Sequence, residues 1–480
     1  MSIFFLHGGE PGLASLLDRL TVKQGTRPPE AGSGTIVIRW GKTAPEPPET
    51  KIIGRIRPVL RAEQARTVAA LLTQEGIRTV DRKRGKEEPF HYQYVVPVFD
   101  TRAIGLFEKK LPHHDGPAFR PHDEQSGRFR EIALSGAPFH AKRAARQAVR
   151  AVYALGLDYG IVKIATTLKG ETLVEEVDPS PIPGPRLSSL FAAAIERLRK
   201  EREAGESRPE PLLLGADPEF LLRRPGGRIV SASRYMERMG EAGCDGIILR
   251  GQRVILPLAE LRPEPSPSPR VLVENLKEAM LRASSQITDP ELEWLTGGMP
   301  VPGFPLGGHI HFSGIPLTSR LLRTLDTYLA LPLVLLEDEQ SRRRRPRYGS
   351  LGDFRRKRHG GFEYRALPSW LDHPERAAGV LALARLIALS SDSLMQEPLD
   401  HPDIRKLYYA GDSTRLLPVA RKLWEELETM PAYGEYGTEL NRLKREILEE
   451  TGRAVAEDFR PAWKIPPFGP AKTPLPEIMV

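Results

Sequence analysis

Four short segments concentrate the side chains able to do chemistry: GADPEF (215–220), AELRPEP (259–265), GGHIHFSG (307–314) and GGFEYRALPS (360–369). Each sets acidic, imidazole or guanidinium groups at i, i+2 spacing. The pairs are Asp217 with Glu219, Glu260 with Arg262 and Glu264, His309 with His311, and Glu363 with Arg365. On a β-strand this spacing puts both members on one face. Such a face is a poor hydrophobic core and a good lining for metal ions and phosphates. Carboxylates suit Mg²⁺ or Mn²⁺, and one added imidazole favours Mn²⁺ or a Mg²⁺ site that tolerates nitrogen. Acids gathered this closely repel one another until a cation neutralises them. The bland alternative is a set of solvated strand faces. It has about even standing for any single acid and less for three strands flanked by glycine and proline. Two histidines on one strand can also share a zinc ion, but with no cysteine partners a structural zinc site is not expected. Which of His309 and His311 would face a metal stays open, and Gly307 and Gly308 fit either close ligand approach or a turn.

Between the third and fourth segments runs RRRRPRYGSLGDFRRKRHGG. Residues 342–358 hold eight arginines, one lysine and one aspartate, so this stretch carries the whole formal charge of +8 and the remaining residues balance. The positive charge is therefore a local device and not a general coat. Arginine neutralises a transferring phosphoryl group through paired hydrogen bonds. Arg347, Arg355 and Arg365 lie closest to the motif positions, whereas the run Arg342–Arg345 is expected to be solvated. A nucleic-acid patch is the competing reading. It predicts strongly salt-dependent binding, and the segment's two aromatic residues, Tyr348 and Phe354, give it little stacking surface.

These groups need elements to position them. A chain of 480 residues with 40% hydrophobic content has enough material for two or three domains. The single cysteine, Cys244, excludes a disulfide framework and points to a reducing, cytoplasmic setting. No signal peptide is expected at the start and no stretch has the length of an apolar membrane span. In the first half, 35–41 reads as a buried strand and 62–77 and 140–157 as helices. The segment 92–100 reads as an edge or bulged strand because it contains Pro97, and 161–181 as a hairpin turning at Lys-Gly. A polar, turn-rich stretch near 205–211 marks a boundary. Beyond it, short antiparallel strands precede a helix over 271–287, a strand at 307–313, and a helix over 319–340 kinked by Pro332. A strand at 361–367 and helices over 374–395, 414–428 and 436–457 complete the expected order. This predicts an α+β chain with domains at 1–205 and 211–460, followed by a proline-rich extended tail at 461–480.

Taken in order, the acid-x-acid strand, E-x-R, G-G-H-x-H-x-S, the arginine loop and F-E-x-R-x-x-P-S resemble the carboxylate–amine ligases of the glutamine synthetase-like superfamily. GADPEF, AELRPEP and YGSLGDFRRKRHGGFEYRALPSW resemble in particular the phage-type COOH–NH2 ligase branch, over roughly residues 211–400. The resemblance implies a curved antiparallel sheet that binds ATP and divalent cations, Mg²⁺ or Mn²⁺. It implies phosphoryl transfer to a substrate carboxylate, then attack by an amine to form an amide on an amino acid or peptide. Carried over by motif, Asp217, Glu219, Glu260, His309 and Glu363 would be metal ligands, with Asp217 standing where many relatives carry glutamate. Arg355 and Arg365 would hold phosphate and developing charge, and Arg262 the carboxylate substrate. Arg347 and His311 complete the expected nucleotide contacts.

The first half is similar, in VIRWG, QEGI, YVVPVFD and ALGLDYGIVKI…VEEVDPSP, to pieces of an ATP-grasp ligase. Glu176 and Asp178 match that family's second metal-binding segment, but Lys163 stands where its first acid is expected. Little chain separates QEGI from YVVPVFD, too little for the lysine-bearing strands that cradle ATP. The resemblance therefore implies a shortened, degenerate ATP-grasp-like domain that binds or positions the acceptor, or serves assembly. A non-catalytic scaffold of two worn ligase domains is the alternative reading. A metal hydrolase built on His309 and His311 is a further one, and it would turn over without ATP.

Overall fold

In the computed structural model the described residues are 2–30, 34–47, 51–80, 90–111, 128–207, 210–248, 254–449 and 457–466. The expected extended tail therefore falls largely outside them, as do most of the short connection after QEGI and the segment RGQ (250–252), where a turn between two of the short strands is expected. The chain forms two compact units, Met1–Glu210 with Pro316–Arg320, and Pro211–Ile315 with Leu321–Val480. Among the described residues, no helix is long and apolar enough to cross a membrane.

The first unit holds two sheets. Strands β1 (Ile3–His7), β2 (Lys23–Gly25), β3 (Ile36–Trp40) and β4 (Ile52–Ile53) form a parallel sheet in the order β2-β1-β3-β4. The second sheet is antiparallel. Its strands are β5 (Phe90–Phe99), β6 (Arg102–Ala103), β7 (Phe107–Lys110), β8 (Arg130–Glu131), β9 (Tyr159–Thr167) and β10 (Thr172–Asp178), in the order β10-β9-β5-β7-β8 with β6 on β5. The helix Phe139–Ala154 lays an alanine stripe, Ala141, Ala144, Ala148 and Ala151, against Tyr94, Val96, Val162 and Ile164. The small side chains let the helix approach the sheet closely. Pro97 does not mark an edge: β5 is internal, and its bulge lies at the other end, between Phe90 and Tyr92. The strand tolerates the missing N–H because its ladder with β7 covers only Tyr92–Val95.

The second unit is built on one antiparallel, curled sheet. Strands β11 (Leu213–Arg223), β12 (Ile229–Val230), β13 (Ala242–Ile248), β14 (Val254–Leu261), β15 (Glu293–Leu295), β16 (Gly308–Ser313), β17 (Phe354–Arg356) and β18 (Phe362–Tyr364) are ordered β13-β14-β11-β16-β18-β17. Strands β12 and β15 pair with β11. Alternation along each strand separates two faces. One carries Ala216, Phe220, Phe312 and Phe362; Phe220 stacks on Trp294 at 4.5 Å and Phe312 on Phe362 at 5.0 Å. From Ala377 on, the helix Pro374–Ser390 is mostly apolar and mostly buried, as a central core helix must be. It packs against Pro269–Gln286 and Gly437–Leu448. The expected Pro332 kink is a π-helical stretch, Asp326–Ala330, which widens the helix ahead of the proline ring.

A buried ion cluster pins the central helix. His373 caps it by accepting from the Arg376 N–H at 3.1 Å, and Arg376 Nε donates to Glu446 at 2.7 Å. Burial raises the Glu446 pKa, but the His373 and Arg376 hydrogen bonds outweigh it and hold the carboxyl at about 2, against an ordinary 4.5. Because the folded value is depressed, this stabilisation is complete above the ordinary value and is lost as pH falls through about 2. Glu446→Gln should therefore remove about 1–2 kcal/mol at neutral pH, after solvent screening. The acid-denaturation curve, compared with wild type below pH ~4, should converge on it; parallel curves would refute the assignment.

Candidate active site

The polar face of the curled sheet collects the i, i+2 residues through register. Glu219 on β11 lies opposite Glu260 on β14, and Asp217 lies opposite His309 on β16. His311 lies opposite Glu363 on β18, which in turn faces Arg355 on β17. Directly opposed residues share a face, so five strands deliver their chemistry to one side. Past Glu219 the same face turns apolar, with Leu221, Leu258 and Leu295 in one buried cluster.

Two trios of ligand-type side chains result. The donor atoms of Asp217, His309 and Glu363 all lie within 4.8 Å of one another, and so do those of Glu219, Asp245 and Glu260. Asp217, Glu219, Glu260 and His309 are 6–7% exposed and Glu363 is fully buried. His309 Nδ1 is 3.0 Å from Asp217 Oδ1 and 3.5 Å from Glu363 Oε1. His311 Nε2 meets the other Asp217 oxygen at 2.9 Å and is more exposed. Of the two imidazoles, His309 therefore belongs to the trio and His311 supports it from the side. Gly307 makes room for this arrangement. Its amide donates to Glu219 Oε2 at 2.7 Å, and a Cβ there would lie 2.8 Å from the His309 ring carbon Cε1.

The electrostatics differ between the trios. For Asp217, burial raises the pKa, but hydrogen bonds from His309 and His311 outweigh it and hold the carboxyl well below the usual range. Burial pushes Glu219 up to about 7, with His309 and the Gly307 amide compensating only in part. A divalent cation beside Glu219 would favour its charged form. This oxygen-rich trio fits Mg²⁺ or Mn²⁺, and the trio with one imidazole fits a nitrogen-tolerant site. Glu363 has the opposite surroundings. Lys357 Nζ lies at 2.6 Å, Arg355 Nη1 at 3.4 Å, and Arg365 is hydrogen-bonded to it. Burial and Asp217 raise its pKa, and Arg365, His309 and Lys357 bring it below the ordinary carboxylate value. Three cations on one carboxylate leave positive charge for a phosphate to meet.

Not every expected residue joins the group. Arg262 hydrogen-bonds Glu260 and donates to the Gly240 carbonyl at 3.1 Å. Arg347 is exposed, with its guanidinium 5.4 Å from the centre of its neighbour Tyr348's ring. Glu264 is exposed beyond the end of β14, because Pro263 and Pro265 stop the strand. The arginine run is only partly solvated: Arg343 is exposed, but Arg344 and Arg345 are 3% and 7% exposed, because the Ala366 and Leu367 carbonyls receive Arg344, and Glu337 and the Tyr408 ring receive Arg345. Asp245 and Lys357 escaped sequence reasoning. Asp245 is a lone acid on β13 with no i+2 partner, and Lys357 was hidden among arginines.

Comparison with curated protein sequences gives no match. Among solved structures, the chain is similar to the ATP-grasp ligase PsnB complexed with minimal precursor, at 12% identity over 41% of this chain and 99% of that one, with TM-score 0.28. It is similar to the macrocyclase MdnC bound with precursor peptide MdnA from Microcystis aeruginosa MRC, at 10% identity over 41% and 100%, TM-score 0.29. It is also similar to the ligase PafA in complex with the prokaryotic ubiquitin-like protein Pup, at 12% identity over 51% and 66%, TM-score 0.34. A sequence model of the phage phiEco32-like COOH–NH2 ligase, type 2, matches residues 214–465. That span is just over half of the chain and contains every residue of both trios, and the chain belongs to this family of carboxylate–amine ligases.

Proposed function

We propose that the protein is an ATP-dependent ligase that joins a carboxylate to an amine through an acyl phosphate, on an amino acid or peptide. The observation that carries the reading is the single sheet face on which the two trios adjoin the three cations on Glu363. Mg²⁺ or Mn²⁺ held by Asp217, His309 and Glu363, and by Glu219, Asp245 and Glu260, would supply Lewis-acid charge to the phosphates. Arg355 and Arg365 would hold the phosphoryl group in transfer; by motif alone, Arg262 would orient the substrate carboxylate, and Arg347 and His311 would contact the nucleotide. A carboxylate oxygen attacks the γ-phosphorus, the bond to the bridging oxygen breaks, and ADP leaves. The amine nitrogen then attacks the acyl carbon and gives up a proton, and phosphate departs with the carbon–oxygen electron pair.

Residues 211–460 form the ligase domain in this reading. Residues 1–205 form a reduced ATP-grasp-like domain that positions the acceptor. Lys163 supports the reduced character of that domain. It pairs in register with Glu176, its Nζ lies 2.5 Å from the carboxylate, and it occupies a group an ATP-grasp metal site would need.

Purified protein given ATP, Mn²⁺ and a mixture of amino acids and peptides should release ADP, and hydroxylamine should trap the activated carboxylate as a hydroxamate. Arg365→Ala should cut ADP release by roughly 10²–10³-fold, as loss of a phosphate-neutralising group does. Lys163→Ala should leave it within about twofold, since surface changes away from a site do little. The reading fails if no ADP is released, or if Arg365→Ala matches wild type.

A further inference from the structure

Arg344 and Arg345 converge on Glu337, which is itself 6% exposed. Arg345 Nη1 donates to the two Glu337 oxygens at 2.7 and 2.6 Å, and its guanidinium lies 5.0 Å from the centre of the Tyr408 ring. Arg344 Nη2 is 4.0 Å from Glu337 and donates to the Ala366 carbonyl at 2.6 Å, while Nη1 donates to the Leu367 carbonyl at 3.3 Å. Those carbonyls directly follow Arg365. The same guanidinium fills the space beside Gly349, whose φ is +72° and where a Cβ would lie 2.6 Å from Nη2. The loop is tied at further points. The Tyr408 hydroxyl donates to Gly349 O at 3.2 Å, the Leu351 N–H donates to the Tyr409 hydroxyl at 3.1 Å, and the Arg365 N–H donates to Asp353 O at 2.9 Å.

A buried ion pair of this kind is weak evidence for stability, because desolvation consumes most of the attraction. Its geometry has another consequence. One guanidinium locks the backbone that leaves β18 to the loop that leads into β17, and Glu363 and Arg365 stand on that backbone. We infer that Arg344 is a positioning residue for the ligation reaction, fixing Arg365 and Glu363 against the phosphoryl group through the carbonyls of Ala366 and Leu367. This rests on the ligase reading above, in which Arg365 meets the transferring phosphate.

The test uses the full chain with ATP, Mn²⁺ and an amino-acid and peptide mixture. Arg344→Met should lower kcat for ADP release by ~10²-fold, the effect of displacing a positioned group by about 1 Å. The KM for ATP should stay within about threefold, because the loss is confined to the transition state. In an Arg365→Lys background the same change should cost less than about threefold, since both act through one group. A wild-type kcat in Arg344→Met overturns the inference, and so does a full, additive loss in the Arg365→Lys background. If Arg344→Met fails to fold, Arg344→Lys replaces it. One ammonium cannot span both carbonyls, so kcat should fall about tenfold at an unchanged Tm, and an unchanged kcat overturns the inference. Absence of ADP release by wild type sinks the ligase reading and this inference together; release by wild type with an unaffected Arg344→Met sinks the inference alone.

Discussion

Glu363→Gln is expected to lower ADP release by roughly 10³-fold or more while leaving the protein folded. The side chain is fully buried and stands at the junction of two functions. One oxygen completes the trio with Asp217 and His309, and the other faces Lys357 and Arg355. Glutamine keeps the volume and one acceptor oxygen, so packing against the neighbouring strands survives. It removes the charge that a divalent cation needs and takes from Lys357 and Arg365 the carboxylate they share. Both of these are about one quarter exposed, so water can take part of the load and the fold should persist. Mn²⁺ titration should show one of two sites weakened by at least about tenfold. Wild-type turnover, or two unaltered Mn²⁺ sites, would remove Glu363 from the proposed centre.

The sequence exposed the parts of this face more clearly than their assembly. The α+β class and the antiparallel sheet follow from short alternating segments and the turns between them. The i, i+2 rule puts Asp217 with Glu219 and His309 with His311 because strand periodicity is local. Register is not local. That Asp217 faces His309, and Glu219 faces Glu260, depends on pairing between strands about 90 and 40 residues apart, which no spacing within one segment encodes. Asp245 was missed because it has no partner on its own strand; β14 brings it to Glu260. Glu264 was over-counted because the pattern ran past the prolines that end the strand. Arg344 and Arg345 were misjudged for a related reason. A run of arginines reads as solvated unless its counter-ion is visible, and here Glu337 and Tyr408 come from other elements. In the first half, Lys163 was legible as the wrong residue for an acid position, but its partner Glu176 became apparent only through the hairpin register.

Gly307→Ala should weaken the Asp217–His309–Glu363 trio by about 10- to 100-fold in Mn²⁺ affinity, the range seen when a ligand's supporting shell is disturbed. The reason is steric. A methyl group at 307 would lie 2.8 Å from His309 Cε1, 3.0 Å from Cδ2 and closer still to Nε2, so the imidazole must turn. His309 Nδ1 then loses its place between Asp217 and Glu363. The backbone at 307 also links the two trios: its N–H binds Glu219 Oε2 at 2.7 Å, and its carbonyl accepts from the Glu219 N–H at 2.8 Å. A ring rotation alone would spare Glu219, whereas a backbone shift would release it. Mn²⁺ titration separates the outcomes, because rotation weakens one site and backbone movement weakens both. Gly308→Ala provides the contrast. Its Cβ would meet the Pro368 carbonyl and the Trp370 ring, neither of which can yield, so that variant should lose its fold and not merely a ligand. Two wild-type Mn²⁺ sites in Gly307→Ala would mean that His309 does not need this orientation, and His309 would leave the proposed ligand set.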